Sequence, residues 1–267
     1  MVKNTINEEW TKYIQKKIKN NVPLYTLEKI LIKQNYSIDI IYNLLYKNKN
    51  IKKNKKSDKY NKNYLCDDPI IFTISNFLSN EECKLFIDLG KKNLKKAGVG
   101  LNKISDGRTG SNKWISHDFN DLTQKIANRI SELVNIPLDN AESFQIIHYS
   151  KNQKYRKHYD SYLHNKSENT LKRMKYGGQR IWTCLCYLND VDEGGQTKFV
   201  KLNKEIYPKK GTLLVFKNTI ENTNIRHPMT LHSGMPIIKG EKYAFTIWFR
   251  ECSRKKLYKD FNPLYYV

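Results

Sequence analysis

Two histidines and an aspartate are the residues of this chain best suited to holding a metal ion together. His158 and Asp160 are separated by one residue, and His232 follows far downstream, just before a predicted strand. In a β-strand, residues two apart point to the same face, so His158 and Asp160 are expected to share one side. Two imidazoles and one carboxylate leave three coordination positions open, as in non-haem Fe(II) oxygenases. A His-x-Asp pair is common, however, so its spacing alone does not identify an iron site.

A lysine downstream of this group indicates what else such a site would bind. Lys242 lies ten residues after His232 and alternates with Ala244, Thr246 and Trp248 along a predicted strand. A buried lysine needs an anionic partner, and the far carboxylate of a dicarboxylate that chelates the metal would supply one. In a chain with 40 lysines, an ordinary surface position is the competing interpretation.

The sequence around these residues consists of short blocks in a characteristic order. The blocks are FQIIHY (144–149), QKY (153–155), HYD (158–160), GGQRI (177–181), YLNDV (187–191), EGGQTKF (193–199), PKKGTLLVF (208–216), HSGMPIIKGEKY (232–243) and WFRE (248–251). Together they resemble the prolyl 4-hydroxylase family of Fe(II)- and 2-oxoglutarate-dependent dioxygenases, over roughly residues 69–251. Lysine-rich members of this kind occur in large DNA viruses, so the resemblance also fits a viral protein.

The resemblance implies an α+β fold with a mainly β catalytic core. That core would be a double-stranded β-helix, or jelly-roll, with supporting helices. Carried over by position, the iron ligands and catalytic residues are His158, Asp160 and His232. Lys242 would bind the distal carboxylate of 2-oxoglutarate, which replaces the surface interpretation.

Four further positions match family residues that contact small molecules or substrate. Tyr149 and Thr183 would contact 2-oxoglutarate, whereas Tyr155 and Trp248 would line the substrate side. The resemblance thus implies a cleft with a co-substrate end and a substrate end.

Two segments depart from the family pattern. The loop at 108–111 reads Arg-Thr-Gly-Ser where the family usually has Arg-Thr-Ser-Ser, so its role is left open. The stretch between Asp160 and Gly177 is the least family-like part of the chain, and no site residue is assigned there. Its Arg173 is expected to be solvent-exposed rather than a substrate contact.

The implied reaction is hydroxylation of peptidyl proline to 4-hydroxyproline in a Pro-rich or collagen-like protein. Fe(II) would be the metal, 2-oxoglutarate and O2 the co-substrates, and L-ascorbate the reductant that restores oxidised iron. Succinate and CO2 would be released. The extended polyproline II shape of such substrates suits an open groove.

Three other functions remain open. The same chemistry on another protein side chain, such as lysine, is the nearest. A nucleic-acid demethylase would use the same cofactors, but such enzymes typically carry arginines after the second histidine, where this chain has Ile238 and Ala244. The third is a non-catalytic virion or binding protein that retained the fold, and the complete set of metal ligands argues against it.

The formal charge of +22 raises the question of a nucleic-acid partner. Clustered cations bind phosphates by releasing counterions. Lysines outnumber arginines 40 to 8, however, whereas specific recognition of bases and phosphates favours arginine. The charge also extends along the whole chain, so a solvated basic surface is expected and a nucleic-acid partner is not.

Composition divides the chain into three parts. Residues 1–46 contain three short apolar-periodic segments, which predict a small helical domain that would dock an unknown protein partner. Residues 47–66 carry eight lysines and almost no apolar residues, which predicts a flexible linker. Residues 67–267 would form the dioxygenase domain.

Within the third part, helices come first and strands dominate afterwards. Helices are predicted from Asn80 to Leu94 and from Asn120 to Val134. The predicted strands are 69–74, 144–149, 180–188, 212–216 and 243–249. This order predicts helices packed on a β-sandwich or barrel.

The remaining features concern the compartment. The first ten residues lack the apolar region of a secretory signal, and no stretch approaches the roughly 20 apolar residues of a membrane span. None of the five cysteines is spaced like a zinc site, and Cys184 and Cys186 are expected to be buried apolar residues. A reducing compartment is expected, either the cytoplasm or, for a viral protein, the host cytoplasm or the virion.

The histidines outside the predicted iron site have no partner at metal spacing. Hydrogen-bonded or exposed imidazoles are expected at His117, His148, His164 and His227.

Overall fold

The computed structural model describes residues 2–20, 22–47, 59–92, 94–96, 107–163, 168–255 and 257. Within these residues the helices are α1 (Glu8–Lys19), α2 (Leu24–Lys33), α3 (Ile38–Leu45), α4 (Asn80–Lys91), α5 (Asp121–Val134) and α6 (Glu168–Met174). Short 3-10 turns lie at Leu138–Asn140 and Pro228–Thr230. None of the described helices is long and apolar enough to cross a membrane.

The strands follow mainly after α5. They are β1 (Asn63–Asp67), β2 (Ile70–Ile74), β3 (Lys95–Lys96), β4 (Ser111–Ile115), β5 (Phe144–Tyr149), β6 (Tyr155–His158), β7 (Arg180–Tyr187), β8 (Glu193–Gly194), β9 (Thr197–Phe199), β10 (Lys204–Ile206), β11 (Leu213–Lys217), β12 (His232–Gly234), β13 (Ile237–Lys239) and β14 (Lys242–Arg250).

Two antiparallel sheets form the body of the chain after the N-terminal helices, which is the predicted catalytic part. The larger has eight strands in the order β1-β2-β11-β7-β14-β5-β4-β3, and the smaller has four in the order β10-β9-β12-β6. One apolar cluster joins the two sheets, with Ile147 and Leu214 of the larger packed near Phe199 of the smaller. The α+β class with a jelly-roll core is therefore confirmed.

Alternation along the central strands separates two apolar layers. In β7, Cys184 and Cys186 lie in the core that α4 and α5 cover, whereas Tyr187 lies in the core between the sheets. In β14, Phe245 and Ala244 divide between the two layers in the same way. The prediction that the two cysteines are buried apolar residues is confirmed. The face between the sheets also carries Thr183 and Lys242, which line a cleft there.

Helices α4 and α5 each begin with a capping box. The side chain of Ser79 accepts from the Glu82 amide while Glu82 accepts from the Ser79 amide, and Asn120 and Thr123 form the same reciprocal pair. Such boxes satisfy amides that the first turn of a helix leaves unpaired. Both helices then pack their apolar faces on the larger sheet.

The three predicted N-terminal helices are present and share their own core. Ile14 of α1, Leu27 of α2 and Ile41 of α3 are buried together. Helix α3 also touches the catalytic part, because its Tyr42 packs with Ile220 and other apolar residues there.

The predicted linker at 47–66 overlaps the larger sheet. Strand β1 begins at Asn63 and pairs with β2, so the last residues of that range belong to the sheet. Residues 48–58, which make up most of the range, lie outside the described residues. The division into domains stays a prediction.

Two expectations near the site are wrong in detail. Strand β6 ends at His158, so Asp160 lies in a bend beyond it and the two do not share a strand face. Arg173 lies on α6, a helix that no motif indicated, and its side chain is half-buried rather than exposed.

Candidate active site

Strands β6 and β12 lie side by side, and their pairing brings two distant parts of the sequence together. In the antiparallel register His232, the first residue of β12, lies opposite His158, the last residue of β6. Their ring centroids are 4.2 Å apart. The bend after β6 then brings the Asp160 carboxylate to both rings. The pairing of β6 with β12 thus brings the three predicted metal ligands together.

The three side chains present their ligand atoms to one point. His158 Nε2 is 3.6 Å from Asp160 Oδ1, and His232 Nε2 is 3.8 Å from Asp160 Oδ2. The three candidate ligand atoms all lie within 4.8 Å of one another, and no second group of three metal-ligating side chains occurs among the described residues. Two imidazoles and one carboxylate at this spacing fit a non-haem Fe(II) ion.

Both histidines are oriented by hydrogen bonds at Nδ1. His158 Nδ1 is 2.9 Å from the Arg156 carbonyl oxygen, and His232 Nδ1 is 2.9 Å from that of Thr230. A carbonyl only accepts, so each Nδ1 donates and each Nε2 keeps a lone pair for a metal. Burial, with the neighbouring His158, lowers the pKa of His232 to about 4, so this ring is neutral at pH 7.

Asp160 is held as an anion by its surroundings. Thr183 Oγ1 donates to Asp160 Oδ2 at 2.7 Å, and Asn218 Nδ2 donates to Thr183 Oγ1 at 2.8 Å. Burial alone would raise the pKa of Asp160, but His232 and His158 outweigh it and hold the pKa well below its usual range. The carboxylate is therefore in the form that binds a cation.

Lys242 is buried on β14, and no carboxylate in the described part of the chain pairs with it. Its Nζ donates to the Gly195 carbonyl oxygen at 2.6 Å and lies 5.0 Å from the Tyr187 ring centroid. Burial lowers the pKa of Lys242 to about 7. A lysine kept in such a place lacks the anion that would stabilise its charge. It lines the same cleft as the three candidate ligands, so the site fits a dicarboxylate as well as a metal.

The backbone conformation at position 195 favours glycine. Its φ of +72° is one that residues with a side chain rarely adopt, and a Cβ there would lie 2.7 Å from Ile237. The glycine therefore lets its carbonyl face Lys242.

Tyr149 and Thr183 lie on the wall of this cleft. Tyr149 is opposite Lys242 in the β5–β14 register, and Thr183 is opposite Trp248 in the β7–β14 register. The Thr183 hydroxyl donates its hydrogen bond to the candidate metal ligand Asp160. For both residues, contact with 2-oxoglutarate stays a prediction.

Tyr155 and Trp248, predicted on the substrate side, line the same cleft of about 900 Å³. The Tyr155 ring stacks on His158 with centroids 3.7 Å apart. The Arg180 guanidinium lies 3.8 Å from the Trp248 ring, whose Nε1 has no hydrogen-bond partner among the described residues. Their place supports a role in substrate binding, which stays a prediction.

Sequence reasoning missed a buried charged network beside Trp248. Arg180 Nε and Nη2 donate to the two Glu142 carboxylate oxygens at 2.6 and 2.7 Å, and Arg250 Nε lies 2.7 Å from Oε1. Burial would raise the pKa of Glu142, but the two arginines lower it to about 2. Both arginines stand in the family-like blocks and arginine is rare in this chain, so either observation could have marked them.

A chain of hydrogen bonds links His232 to the N-terminal helices. Tyr42 of α3 donates from its hydroxyl to Asp68 Oδ2 at 2.6 Å, and His227 Nε2 is 3.0 Å from Asp68 Oδ1. The Thr230 hydroxyl donates to the His227 carbonyl oxygen at 2.7 Å, and the Thr230 carbonyl accepts from His232. Asp68 therefore helps to position a candidate iron ligand from a distance.

Replacing Asp68 by alanine is expected to weaken Fe(II) binding by a factor of about ten or less, since outer-shell partners of metal ligands contribute up to 10–100-fold. An anaerobic Fe(II) titration measures the change. Asp88→Ala, which removes an exposed carboxylate paired with Lys84, is the control. Equal Fe(II) affinity of Asp68→Ala and the wild type would show that the turn Pro228–Thr230 holds its position without the link to α3.

The other histidines are hydrogen-bonded as expected, wherever the structure describes them. His117 lies 2.6 Å from the Glu142 carbonyl oxygen, and His148 lies 2.8 Å from Glu241 Oε2. His227 pairs with Asp68. His164 lies outside the described residues.

Comparisons with known proteins place the site in a family. The family model described as the 2OG-Fe(II) oxygenase superfamily matches residues 144–250. A mimivirus protein (Acanthamoeba polyphaga mimivirus) named "Putative prolyl 4-hydroxylase" is 36% identical over 187 residues, which cover 69% of this chain and 76% of that protein. Prolyl 4-hydroxylase 5 of Arabidopsis thaliana is 37% identical over 206 residues, which cover 68% of each chain.

A solved structure agrees in fold. The viral collagen prolyl hydroxylase of Paramecium bursaria Chlorella virus-1, in its 2OG complex, superposes with a TM-score of 0.57 at 29% identity. The match covers 70% of this chain and 99% of that one. The matched family region contains all eight predicted site residues, including the donor set and the buried lysine. The chain therefore belongs to the prolyl 4-hydroxylase family of 2OG-Fe(II) oxygenases and is a 2-oxoglutarate-dependent dioxygenase.

Proposed function

We propose that this dioxygenase hydroxylates peptidyl proline to 4-hydroxyproline in Pro-rich or collagen-like proteins. The observation that carries the proposal is a buried lysine, Lys242, on the same cleft as the donor set His158, Asp160 and His232. No carboxylate among the described residues pairs with this lysine. Relatives named prolyl 4-hydroxylase, and the structural similarity to a viral collagen prolyl hydroxylase, support proline as the target.

The roles of the residues follow from their chemistry. His158, Asp160 and His232 would hold Fe(II), and Lys242 would neutralise the distal carboxylate of 2-oxoglutarate. When bound, iron and 2-oxoglutarate supply the oxidation that turns a substrate C–H bond into an alcohol, with release of succinate and CO2. O2 as co-substrate and L-ascorbate as the reductant of the iron complete the proposed cofactor set.

The walls of the cleft orient and shield the reaction. Tyr149 and Thr183 would contact 2-oxoglutarate at the inner wall, and Thr183 also holds the Asp160 carboxylate in place. Tyr155 and Trp248 offer aromatic surfaces on which a proline ring would pack. The rings of Tyr155, Phe199 and Phe216 pack on the two histidines and would help to shield the metal position from water.

The pH dependence of 2-oxoglutarate binding follows from the lowered pKa of Lys242. In the free protein this pKa is about 7, so above that pH the lysine is mainly neutral and must gain a proton to pair with the carboxylate. The Kd for 2-oxoglutarate is expected to rise above about pH 7, by up to about tenfold per pH unit. Calorimetry in buffers of different ionisation enthalpy, with Mn(II) in place of Fe(II), should show proton uptake at about pH 8. A flat Kd without proton uptake would contradict a charged Lys242 in the complex.

A docking role is proposed for the helical domain predicted at residues 1–46. Helix α3 packs on the catalytic part through Tyr42, whereas α1 contacts α2 and α3 and exposes Tyr13. A small bundle of this kind adds no residue to the cleft, which supports a role in binding a protein partner.

A cytoplasmic location, or packaging in a virion, is proposed from the cysteines. Cys66, Cys83, Cys184 and Cys186 are free thiols, and the last three of these are buried. Free thiols are typical of proteins that work in a reducing compartment.

Mass spectrometry of Pro-rich and collagen-like peptides tests the proposed reaction. The peptides are incubated with enzyme, Fe(II), 2-oxoglutarate and ascorbate, and His158→Ala is the control. One added oxygen on proline, absent with the variant, is the expected result. Turnover of 2-oxoglutarate without oxygen on any proline would move the proposal to another side chain.

A further inference from the structure

The cleft that holds the proposed active site is lined by a surplus of cations. Its Asp160 and Lys242 are assigned to iron and 2-oxoglutarate. The other permanently charged residues that line it are all basic: Lys95, Lys96, Arg108, Arg173, Arg180 and Arg226. Within the described residues, only Arg180 of these six has a carboxylate partner, which is Glu142.

The lysine-rich composition does not account for this surplus. The chain has 40 lysines and 8 arginines, yet four of the eight arginines line this one cleft. Of the lysines that the structure describes, only three do so, and one of them is the proposed co-substrate anchor. Arginine is concentrated where a ligand would lie, whereas lysine is spread over the rest of the surface.

Two of these arginines have donors left over for a ligand. Arg226 Nη2 donates to the Ser161 carbonyl oxygen at 2.5 Å, while its buried Nε has no partner among the described residues. Burial lowers the pKa of Arg226 to about 10, so it is still charged at neutral pH. Arg173 Nε donates to Asn169 Oδ1 at 2.9 Å. A guanidinium has five N–H donors, so both side chains can still bind an anion.

Lys95 and Lys96 supply the exposed part of the basic lining. They form β3, at the end of the strand order of the larger sheet, and pair with Asn112 and Ser111 of β4. Both are exposed, and no described acid forms an ion pair with them. The basic lining therefore extends from the half-buried Arg226 to this edge of the sheet.

We propose that the substrate is an acidic protein segment, with glutamate or aspartate flanking the target proline. This inference rests on the proposed prolyl hydroxylation and names the substrate class of the same cleft. Carboxylates beside the proline would pair with Lys95, Lys96, Arg173 and Arg226, and the basic cleft would also speed their encounter. A protein is favoured over a nucleic acid because the relatives of this chain are named for proline hydroxylation.

The test uses three fluorescein-labelled peptides that share one central Pro-rich sequence and differ only in flanks of glutamate, glutamine or lysine. Binding is read by anisotropy and hydroxylation by mass spectrometry, at low and high salt. The glutamate peptide is expected to bind at least about tenfold more tightly than the glutamine peptide, since several ion pairs contribute where one alone gives a few-fold effect. Salt should shrink this preference.

Charge reversal locates the preference in the cleft. Lys95→Glu/Lys96→Glu is expected to lose most of the preference for glutamate flanks. Lys209→Glu/Lys210→Glu, an equal charge change at exposed positions that do not line the cleft, should keep it. Equal loss in both variants would overturn the inference, because the preference would then be a property of net charge.

The remaining outcomes separate this inference from the proposed function. Equal binding of the three peptides, with proline still hydroxylated, overturns the acidic substrate alone. Binding that is tightest for the glutamate peptide and weakest for the lysine peptide, without oxygen added to any proline, supports an acidic substrate and overturns the proposed proline hydroxylation. Tighter binding of a single-stranded oligonucleotide than of the glutamate peptide, lost in Lys95→Glu/Lys96→Glu, would assign the cleft to nucleic acid and overturn the peptide.

Discussion

Replacing His232 by alanine is expected to abolish both Fe(II) binding and 2-oxoglutarate turnover. The side chain is one of three donors within 4.8 Å of one another, and its Nε2 is left free by the bond from Nδ1 to Thr230. Loss of a direct ligand should weaken Fe(II) binding by more than about 100-fold, because outer-shell partners alone contribute 10–100-fold. Anaerobic Fe(II) titration and a succinate assay measure the two effects.

His148→Ala is the matched control for this variant. His148 is a partly exposed histidine on β5, paired with Glu241 and outside the donor set. It should leave Fe(II) stoichiometry and turnover near those of the wild type. Stoichiometric Fe(II) uptake by His232→Ala, with a folded chain by circular dichroism, would remove His232 from the metal site.

Replacing Lys242 by alanine is expected to raise the KM for 2-oxoglutarate about 100-fold while Fe(II) binding is spared. Removing one partner of a buried ion pair costs about 3 kcal/mol or more, and each 1.4 kcal/mol is a factor of ten. Without co-substrate, the alanine variant should be no less stable than the wild type. The wild-type lysine is buried with no carboxylate partner among the described residues, so its removal leaves no charge unpaired.

Lys239→Ala serves as the control, since Lys239 is exposed on β13 only three residues away. Its KM for 2-oxoglutarate should match that of the wild type. An unchanged 2-oxoglutarate requirement in Lys242→Ala would move the anchor to another cation of the cleft, of which Arg108 is the most buried.

Periodicity was sufficient to predict several of the elements that support the site, although not β6 and β12, which carry the two histidines. The predicted strand at 144–149 matches β5, and Ser79 and Asn120 cap α4 and α5. These features are local, because a cap or an alternation depends on residues a few positions apart. Helix α4 nevertheless ends at Lys91, before the predicted Leu94, since an apolar pattern does not mark where a helix stops.

The parts that could not be predicted depend on contacts between distant residues. Asp160 reaches the histidines from a bend, not from the strand that its spacing to His158 suggested. Glu142 and Arg180 are 38 positions apart, and nothing in either local sequence pairs them. The link from Tyr42 to His227 joins a helix to a turn near the end of the chain. Such pairs exist only once the sheets have formed.

The resemblance in sequence supplied what periodicity could not. A lone His-x-Asp pair is weak evidence for a metal site, and one lysine in a lysine-rich chain is weak evidence for a co-substrate anchor. Their positions within the ordered family-like blocks indicated that they belong to one site. The structure then brought the donor set and Lys242 to one cleft. The substrate-side cations were missed because the charge of the whole chain concealed their concentration there.

The most direct test is the ratio of succinate to 4-hydroxyproline formed on one Pro-rich peptide. Succinate is measured in the supernatant, and amino-acid analysis of the peptide separates 4-hydroxyproline from other hydroxylated residues. Coupled prolyl 4-hydroxylation by this dioxygenase predicts one 4-hydroxyproline for each succinate, with both lost in His158→Ala. Succinate formed at the same rate with and without peptide, and no 4-hydroxyproline, would contradict it.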